Sequence, residues 1–376
     1  MENKKKKFRI SGKAIFNIAV VAISIYLIIY FFVSEDGLID LLSTPDSFNP
    51  WWILIALIVF DLNILLDTIV TLAFVRSQFK SFRFIDSLKV ALVGVFFGAV
   101  TPSNTGGQPM QLYLMSKMKI NVGFGSACMT QKFIVYQILT TAISVAAVFI
   151  KFDFFQSAFT NIWSSLFIIL GFSVQMVVTA LFLIVSFFRG LTNSLMKLIY
   201  KIMKKLKFVK DPEEKMKKIN KEVCSFHKGN RELYKDKKLL IVTYLLVFLQ
   251  ILCILSVPYF IYISFGMPEI AIANGQNPAN LFDFLCIQSF VLFTSNLVPL
   301  PGASGGAELA FTMYFGQFFI IGGINKIKPA ILLWRFVTYY GAILISAPFS
   351  YFTKGKRKDD IEQTIEELEA SEEKIE

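Results

Sequence analysis

Charged side chains fall inside long apolar stretches of the sequence at Asp61, Asp67, Lys132, Glu308 and Arg335. In a membrane-spanning helix such an ion costs at least about 2.5 to 3.5 kcal/mol to insert, so it marks a functional site by default. The planar guanidinium of Arg335 suits bidentate binding of a phosphate, and Lys132 offers a second positive charge. The acids can pair with these cations, exchange protons or bind a cationic headgroup. The favoured chemistry is recognition of a charged, phosphate-bearing group inside a membrane.

Several of these charges also have a purely structural explanation. The long side chains of Lys132 and Arg335 can reach the nearer membrane interface, and Asp67 can do the same. Asp61 lies nearer the middle of its apolar stretch, and Glu308 stands beside an interruption of another. A functional role is therefore favoured for Asp61 and Glu308.

Two related motifs interrupt the apolar stretches. One is PSNTGGQ at 102–108 and the other is PGASGGAE at 301–308, so both read Pro-x-x-x-Gly-Gly. A broken helix in a membrane strands backbone N–H and C=O groups, which is tolerated only where protein or a water-filled cavity supplies partners. Gly/Pro-interrupted segments in corresponding positions of two halves indicate the binding site of a transporter.

A second helical leg is expected to begin after each glycine pair, with its N-terminus at the bilayer midplane. A helix N-terminus carries about half a positive charge and free N–H groups, which favour an anion such as phosphate. The polar candidates for contact with that anion are Ser103, Asn104, Thr105, Gln108 and Ser304. Glycines let a headgroup approach the backbone, and the candidates of this kind are Gly106, Gly107, Gly302, Gly305 and Gly306. Helix capping explains the serine and threonine positions equally well.

Composition places the chain among polytopic membrane proteins. It has 55% hydrophobic residues and 40 Phe, and its mean hydropathy is +0.59. The net charge of +11 does not indicate nucleic-acid binding, because the basic residues cluster beside and between apolar stretches, as the positive-inside rule expects. The four cysteines have no metal-ligand spacing, and no cofactor motif is present, so neither a metal nor a cofactor is expected.

Apolar stretches of spanning length predict about six full membrane helices, at 14–33, 51–75, 122–150, 162–188, 239–263 and 330–352. The stretches beside each motif are too short to span. We therefore expect two re-entrant broken-helix hairpins, at about 87–117 and about 281–323. By the positive-inside rule the hairpins enter from opposite sides and both chain termini are cytoplasmic, although Lys326 and Lys328 then lie outside. The predicted fold is an all-α polytopic protein of the cytoplasmic (plasma) membrane.

This path divides the chain into an inverted-topology repeat. The predicted halves are residues 1–150 and 161–353, followed by a basic and then acidic cytoplasmic tail at 354–376. The second half contains a strongly basic segment at 189–238 with amphipathic helical stretches. We expect this segment to lie on the anionic inner leaflet.

The two motifs, together with Trp334-Arg335 and Tyr339-Tyr340 in the last helix, resemble the membrane region of the lysylphosphatidylglycerol synthase family. The resemblance covers most of residues 10–352. The multiple peptide resistance factors of this family join a lipid-flipping membrane domain to a soluble aminoacyl transferase domain. The resemblance implies a stand-alone flippase-like member, since this chain has no room for the transferase, and it adds Tyr339 to the candidate substrate contacts.

The chain departs from the family's common pattern at two places. Many relatives carry an acid after the first glycine pair and a Glu-Arg pair in the next helix. This chain has Gln108 at the first place and Gln131-Lys132 at the second. These departures bear on which headgroup is recognised and on any coupling to protons.

The sequence therefore predicts a lipid translocase, either a flippase or a scramblase, and not an enzyme. Its expected substrate is an anionic phospholipid, an aminoacyl-phospholipid or a related lipid-linked headgroup that crosses through a central polar cavity. The alternatives are a membrane-embedded lipid-modifying enzyme, such as a headgroup transferase or polyprenyl-phosphate enzyme, and a non-transporting scaffold. A rhomboid-type protease is disfavoured, because the only histidine, His227, lies in the basic cytoplasmic segment, whereas the second hairpin with the Gly-x-Ser-Gly run at 302–305 is expected to open to the other face. A homodimer is left open.

Overall fold

A computed structural model describes residues 48–154, 162–205, 211–295 and 300–351. Within these ranges the chain has thirteen α-helices and one two-stranded hairpin, which confirms the all-α class. Five of the described helical segments are long and apolar enough to cross a membrane. The predicted first helix at 14–33 and the tail at 354–376 lie outside the described residues.

The helices are, in chain order, α1 (Pro50–Arg76), α2 (Phe84–Val100), α3 (Gly107–Lys117), α4 (Val122–Ile150), α5 (Ile162–Phe187), α6 (Arg189–Lys205), α7 (Pro212–Lys235), α8 (Lys237–Ser264), α9 (Met267–Ala273), α10 (Leu281–Ser295), α11 (Gly306–Phe319), α12 (Ile327–Arg335) and α13 (Gly341–Tyr351). The remaining elements are 3₁₀ turns at Pro102–Asn104 and Pro301–Ala303, strands β1 (Ile320–Ile321) and β2 (Ile324–Asn325), and a π-helical turn at Phe336–Tyr340. The membrane-length segments are α1, α4, α5, α8 and the continuous run of α12 to α13, which agrees with the predicted spans after the first.

Polar side chains set where the long helices begin. The side chain of Asn121 accepts a hydrogen bond from the Phe124 N–H at 3.0 Å, and that of Asp236 accepts one from the Leu239 N–H at 2.9 Å. Such caps pair N–H groups that have no partner within the helix. The starts of α4 and α8 are therefore fixed by local sequence.

The first hairpin consists of α2 and α3, which pack antiparallel and very closely. Gly94 and Gly98 on α2 face α3 with the four-residue spacing that lets helix backbones approach. A Cβ added at Gly107 would lie 2.8 Å from the carbonyl oxygen of Gly94, and one added at Gly94 would meet the side chain of Gln111. Glycine is thus required on both sides of this contact.

The second hairpin consists of α10 and α11, and aromatic side chains join its legs. The rings of Phe284 and Phe315 lie 5.0 Å apart, and those of Phe290 and Tyr314 lie 6.4 Å apart. The second leg ends at Phe319, slightly earlier than predicted, because β1 and β2 form a tight connection to α12. The last helical run begins at Ile327, and sequence patterns did not predict the strands.

The two hairpins enter the helical bundle from opposite ends. At one end, called here the basic end, the Nε of Arg76 at the close of α1 donates to the carbonyl of Phe82 at 2.7 Å, just before α2 begins. At the other end, Phe265 follows α8, and the Nζ of Lys326 lies 5.8 Å from its ring, just after the second hairpin. The tips of the hairpins, the turns Pro102–Asn104 and Pro301–Ala303, contact each other. An inverted repeat and re-entry into a bilayer stay predictions.

The basic segment folds as α6 and α7, and α7 packs against α4. The carboxylate of Glu222 accepts a hydrogen bond from the Gly123 N–H at 2.6 Å, and Gly229 lies against Phe124. The face of α7 toward the protein buries Met216, His227, Asn230 and Leu233. One side of α7 is therefore covered by protein, and contact of the segment with a leaflet stays a prediction. The connection between α8 and α10 contains the short helix α9.

Candidate functional site

The first break is closed by the hydroxyl of Thr101. This hydroxyl donates to the carbonyl of Phe97 at 2.6 Å and accepts from the Gly106 N–H at 2.8 Å, so it pairs the end of α2 with the start of the next leg. Ser103 and Asn104 both have positive φ, at 49° and 58°. L-residues in this conformation are strained, and such strain persists where the surroundings enforce it.

The second break repeats this pair of positive-φ positions, but its first glycine differs, since Gly305 has a φ of 82° whereas Gly106 has a φ of −79°. Gly302 and Ala303, at the turn positions of Ser103 and Asn104, also have positive φ, at 60° and 53°. The hydroxyl of Ser304 donates to the Pro301 carbonyl at 2.9 Å, just as the hydroxyl of Thr105 donates to the Pro102 carbonyl at 2.8 Å. Capping of the turns thus accounts for the hydrogen bonds that these two hydroxyls donate.

Helices α3 and α11 both start at the second glycine of their motif. The first backbone hydrogen bonds across these starts are from Met110 to Gly106 at 3.3 Å and from Leu309 to Gly305 at 3.0 Å. The N–H groups of the preceding residues have no partner within the helix. Because the turns Pro102–Asn104 and Pro301–Ala303 touch, both helix N-termini lie beside one place, which we call the junction.

Arg335 is buried at this junction and does not extend to the surface. Its residue is 7% exposed, and its Nε donates to Oε1 of Glu308 at 2.7 Å. Its Nη1 donates to the carbonyl of Gly302 at 2.7 Å, and its Nη2 to that of Ala303 at 3.4 Å. The guanidinium also lies over the ring of Trp334 at 5.2 Å. The guanidinium of Arg335 is thus bound by Glu308 and by the backbone of the second break.

Tyr339 joins the two hairpins. Its hydroxyl donates to the carbonyl of Ala99 at the end of α2, at 3.1 Å, and its ring covers Gly302. A Cβ at 302 would lie 2.4 Å from that ring, so only glycine fits. Tyr339 lies in the π-helical turn, a feature that is frequent at functional sites. Sequence patterns did not predict this turn.

The remaining polar candidates of the first break face outward. The exposed residues are Ser103, Asn104, Thr105 and Gln108, whereas Gly106 is half-buried and Gly107 is buried. At the second break Ser304 and Gly305 are exposed and Gly306 is half-buried. Among the described residues the hydroxyl of Ser103 has no hydrogen-bond partner. The first break therefore presents neutral donors and acceptors.

Lys132 belongs to a separate polar cluster. Its Nζ donates to the carboxylate of Asp67 at 3.0 Å and to the hydroxyl of Thr71 at 3.1 Å. The amide of Gln250 on α8 donates to the other oxygen of Asp67 at 3.3 Å. None of these bonds involves a residue of the junction. The predicted pairing of an intramembrane acid with Lys132 is thus found for Asp67, within a link between α1, α4 and α8.

Asp61 lies on the same helix as Asp67, but on its surface. Within the described ranges it forms no ion pair, and no hydrogen bond to its side chain is found. Its predicted role in coupling stays a prediction.

Three side chains around the second hairpin carry buried polar atoms that have no hydrogen-bond partner among the described residues. They are Oε2 of Glu308, Nε1 of Trp334 and the side-chain amide of Gln288, both atoms of which are unpaired. A buried polar group without a partner is rare and needs an explanation, such as a missing ligand or water. Gln288 was not a candidate from the sequence, because a glutamine within an apolar run is commonly a link between helices.

Comparison with known proteins agrees with this architecture. The chain is 24% identical to a UPF0104 membrane protein from Archaeoglobus fulgidus, over 72% of this chain and 77% of that protein. It is also 24% identical to an uncharacterized protein from Mycoplasma pneumoniae, over 88% of this chain and 85% of the relative. No solved structure matches it significantly. The sequence model of the lysylphosphatidylglycerol synthase TM region matches residues 17–346, so the chain belongs to that family.

Proposed function

We propose that the protein is a translocase that moves a lipid with an anionic, phosphate-bearing headgroup across the cytoplasmic membrane. The headgroup belongs to an anionic phospholipid, an aminoacyl-phospholipid or a related lipid-linked compound. The observation that carries the proposal is the ion pair between the buried Arg335 and Glu308, whose side chain is 29% exposed, at the junction of the two broken helices. Such an ion pair is weak evidence for stability, because apolar residues of similar volume often serve as well. Its position at the N-terminus of α11, beside the contact between the two turns, therefore supports a binding role.

The binding step is an exchange of partners on Arg335. In the empty state the guanidinium is held by Glu308 and by two carbonyls of the second break. A phosphate that reaches the junction competes with the carboxylate of Glu308, since it can form the same bidentate, charge-assisted hydrogen bonds. The unpaired N–H groups at the starts of α3 and α11 favour the same anion.

Glu308 has a second task once it is displaced. Its Oε2 is buried and unpaired among the described residues, so the displaced carboxylate can accept a hydrogen bond from the protonated amine of an aminoacyl headgroup. That contact compensates the charge of the acid while the phosphate occupies Arg335. No covalent chemistry is needed for this cycle.

Translocation requires the two hairpins to separate first at one end of the helical bundle and then at the other. The hydrogen bond from Tyr339 to Ala99 joins them in the closed state and must break for the junction to open. The Asp67–Lys132 pair links α1 to α4, and together with the surface acid Asp61 it is a candidate for coupling to a proton or charge gradient. The acyl chains stay in lipid while the headgroup passes through the polar path.

We test this function with purified protein in liposomes that contain fluorescent phosphatidylglycerol. Arg335→Ala is expected to abolish translocation, measured as dithionite-accessible fluorescence over time, because no other cation pairs with the junction among the described residues. Arg335→Lys, which keeps the charge but loses the fork, is expected to retain a small fraction of the rate.

The matched control is Arg83→Ala. Arg83 also pairs with an acid, Asp86, but its side chain is 73% exposed, so its removal should leave translocation unchanged. Folding of each variant is checked by its thermal unfolding in detergent. A folded Arg335→Ala protein that translocates at the normal rate would remove Arg335 from the mechanism.

We also propose that the basic end faces the cytoplasm. Single cysteines introduced at Lys201 and Glu269, both exposed and at opposite ends, test this in a variant without native cysteines. A membrane-impermeant maleimide applied to intact cells should label position 269 and not position 201. The reverse pattern would invert the predicted topology.

A further inference from the structure

A cavity of about 510 Å³ lies at the basic end of the bundle, away from the junction. Its walls come from the end of α5, the start of α6 and the last turns of α7. Ligand pockets of small molecules have about this size. The cavity lies where two helices of the basic segment meet a membrane-length helix.

Three side chains that line this cavity carry buried polar atoms without a partner among the described residues. They are Oγ of Ser186, Nε2 of His227 and Nδ2 of Asn230. These residues are 5%, 7% and 2% exposed, respectively. Buried polar groups are almost always hydrogen-bonded, so three unpaired atoms on one cavity indicate a missing polar ligand. The hydroxyl and the amide can both donate.

The same walls carry three cations. Arg189 on α6 and Arg231 and Lys235 on α7 line the cavity, and none of the described residues that line it is acidic. Burial, followed by the positive charge of Arg189, lowers the pKa of His227 below its ordinary value, against a hydrogen bond with the Ser186 backbone. A phosphate would neutralise the charge of the cations and accept hydrogen bonds from the Ser186 hydroxyl and the Asn230 amide.

One wall of the cavity is apolar and continuous with the outer surface of α5. Phe187 lines the cavity while it is 53% exposed, and its ring lies 4.7 Å from that of Tyr234. On the same helix Leu181 is also exposed. A soluble anion does not need this wall, whereas the acyl chains of a lipid can lie along it. Basic pockets between helices at this depth bind phospholipid headgroups.

We propose that this cavity is a second phosphate site, separate from the junction, which holds the phosphate of an anionic phospholipid from the leaflet at the basic end. Arg189 and Arg231 bind the phosphate from two different helices, and Ser186, His227 and Asn230 complete its coordination. The bound headgroup fastens α6 and α7 to the end of α5. Binding at this site does not require translocation, so its test does not depend on transport activity.

The test uses the chain's single histidine as a probe. Protein labelled with ¹⁵N-histidine, without a histidine tag, is placed in phosphatidylcholine nanodiscs, and the His227 resonance is followed by NMR. One series adds an increasing fraction of phosphatidylglycerol, and a second adds inorganic phosphate to phosphatidylcholine nanodiscs. We expect a saturable shift in the first series, and Arg189→Gln with Arg231→Gln should weaken it about tenfold or more.

The matched control is Lys221→Gln with Lys228→Gln. These lysines are exposed on α7 and do not line the cavity, so the control removes the same charge from the same region. A response to phosphatidylglycerol that survives in the control supports a lipid phosphate. A response to inorganic phosphate supports the site with a soluble source instead. No response in either series, or equal weakening by both double variants, would overturn the proposal.

Discussion

The two breaks share the first positions of their turn but not their surroundings. Each has a proline, two consecutive residues with positive φ, a hydroxyl bonded to the proline carbonyl, and a helix that starts at the second glycine. The backbones then differ, because Gly305 has a positive φ and Gly106 does not. At the second break, Arg335 and Tyr339 cover the turn. At the first break, Ser103 and its neighbours are exposed and pair with no cation among the described residues.

This difference separates two properties of the motif. The motif itself sets the broken backbone and the helix N-terminus, because proline and glycine act locally. The strong anion-binding charge belongs only to the second break, where Arg335 arrives from another helix. The proposed path is therefore asymmetric, with a charged side and a neutral polar side. The following substitutions test that asymmetry, from the largest expected effect to the smallest.

Glu308→Ala should have the largest effect on stability. It leaves the buried guanidinium of Arg335 without its acid, and because the side chain of Glu308 is 29% exposed the expected cost is about 3 kcal/mol, the lower end of the range for buried pairs. The free energy of unfolding is measured by chemical denaturation in detergent. Gln108→Ala, at the exposed start of the other second leg, should change it by less than about 0.5 kcal/mol. Equal effects would mean that the two breaks are alike.

Gly302→Ala should lower the free energy of unfolding by about 2 to 3 kcal/mol. The new Cβ would lie 2.4 Å from the ring of Tyr339, and the positive φ adds strain. In a Tyr339→Ala background the same substitution should have a much smaller effect, because the ring is gone. A double-mutant cycle measures this coupling, and additive effects would contradict the contact.

Tyr339→Phe should destabilise the protein by about 1 kcal/mol, since it loses the hydrogen bond to Ala99 while the ring still covers Gly302. Because this bond joins the two hairpins, the variant is also expected to open more often. Exchange of the α2 amides with deuterium should therefore become faster. Tyr113→Phe, at an exposed tyrosine on α3, is the control, and equal exchange in both variants would show that the Tyr339–Ala99 hydrogen bond does not hold the closed state.

Ser103→Gly should stabilise the protein slightly, by about 0.5 kcal/mol. Glycine relieves the strain of a positive φ, and its greater freedom in the unfolded chain offsets part of that gain. Ser304→Gly should instead destabilise by about 1 kcal/mol, because its φ is negative and its hydroxyl bonds the Pro301 carbonyl. Thermal unfolding of the two variants measures whether their stabilities change in opposite directions. Two changes of the same sign would contradict the assigned turn positions.

Sequence patterns predicted the elements of the fold better than their contacts. The spans from 51 onward and the interrupted legs follow from apolar length and from Pro and Gly, which are local properties. The β1–β2 connection and the π-helical turn at Phe336–Tyr340 were not predicted. Both depend on how the second hairpin packs against the last helix, and neither has a strong local pattern.

For the candidate site, the sequence supplied the charged residues but not their partners. It left Asp67 and Glu308 open to pairing with either Lys132 or Arg335, and the structure assigns Asp67 to Lys132 and Glu308 to Arg335. Thr101, which closes the first break, immediately precedes the motif and was not a candidate. Its role needs the end of one helix and the start of the next to be close in space.

The amino-acid sequence by itself determined that this chain is an all-α membrane protein with two broken helices and a few ions inside apolar segments, because hydrophobic length and backbone-specific residues act within a few positions of the chain. Only the tertiary structure decided that the breaks touch, that Arg335 turns to the second one, and that the basic helices enclose a cavity with unpaired donors. These contacts join residues far apart in sequence. They are set by packing and by the pairing of buried charges, which no local pattern encodes.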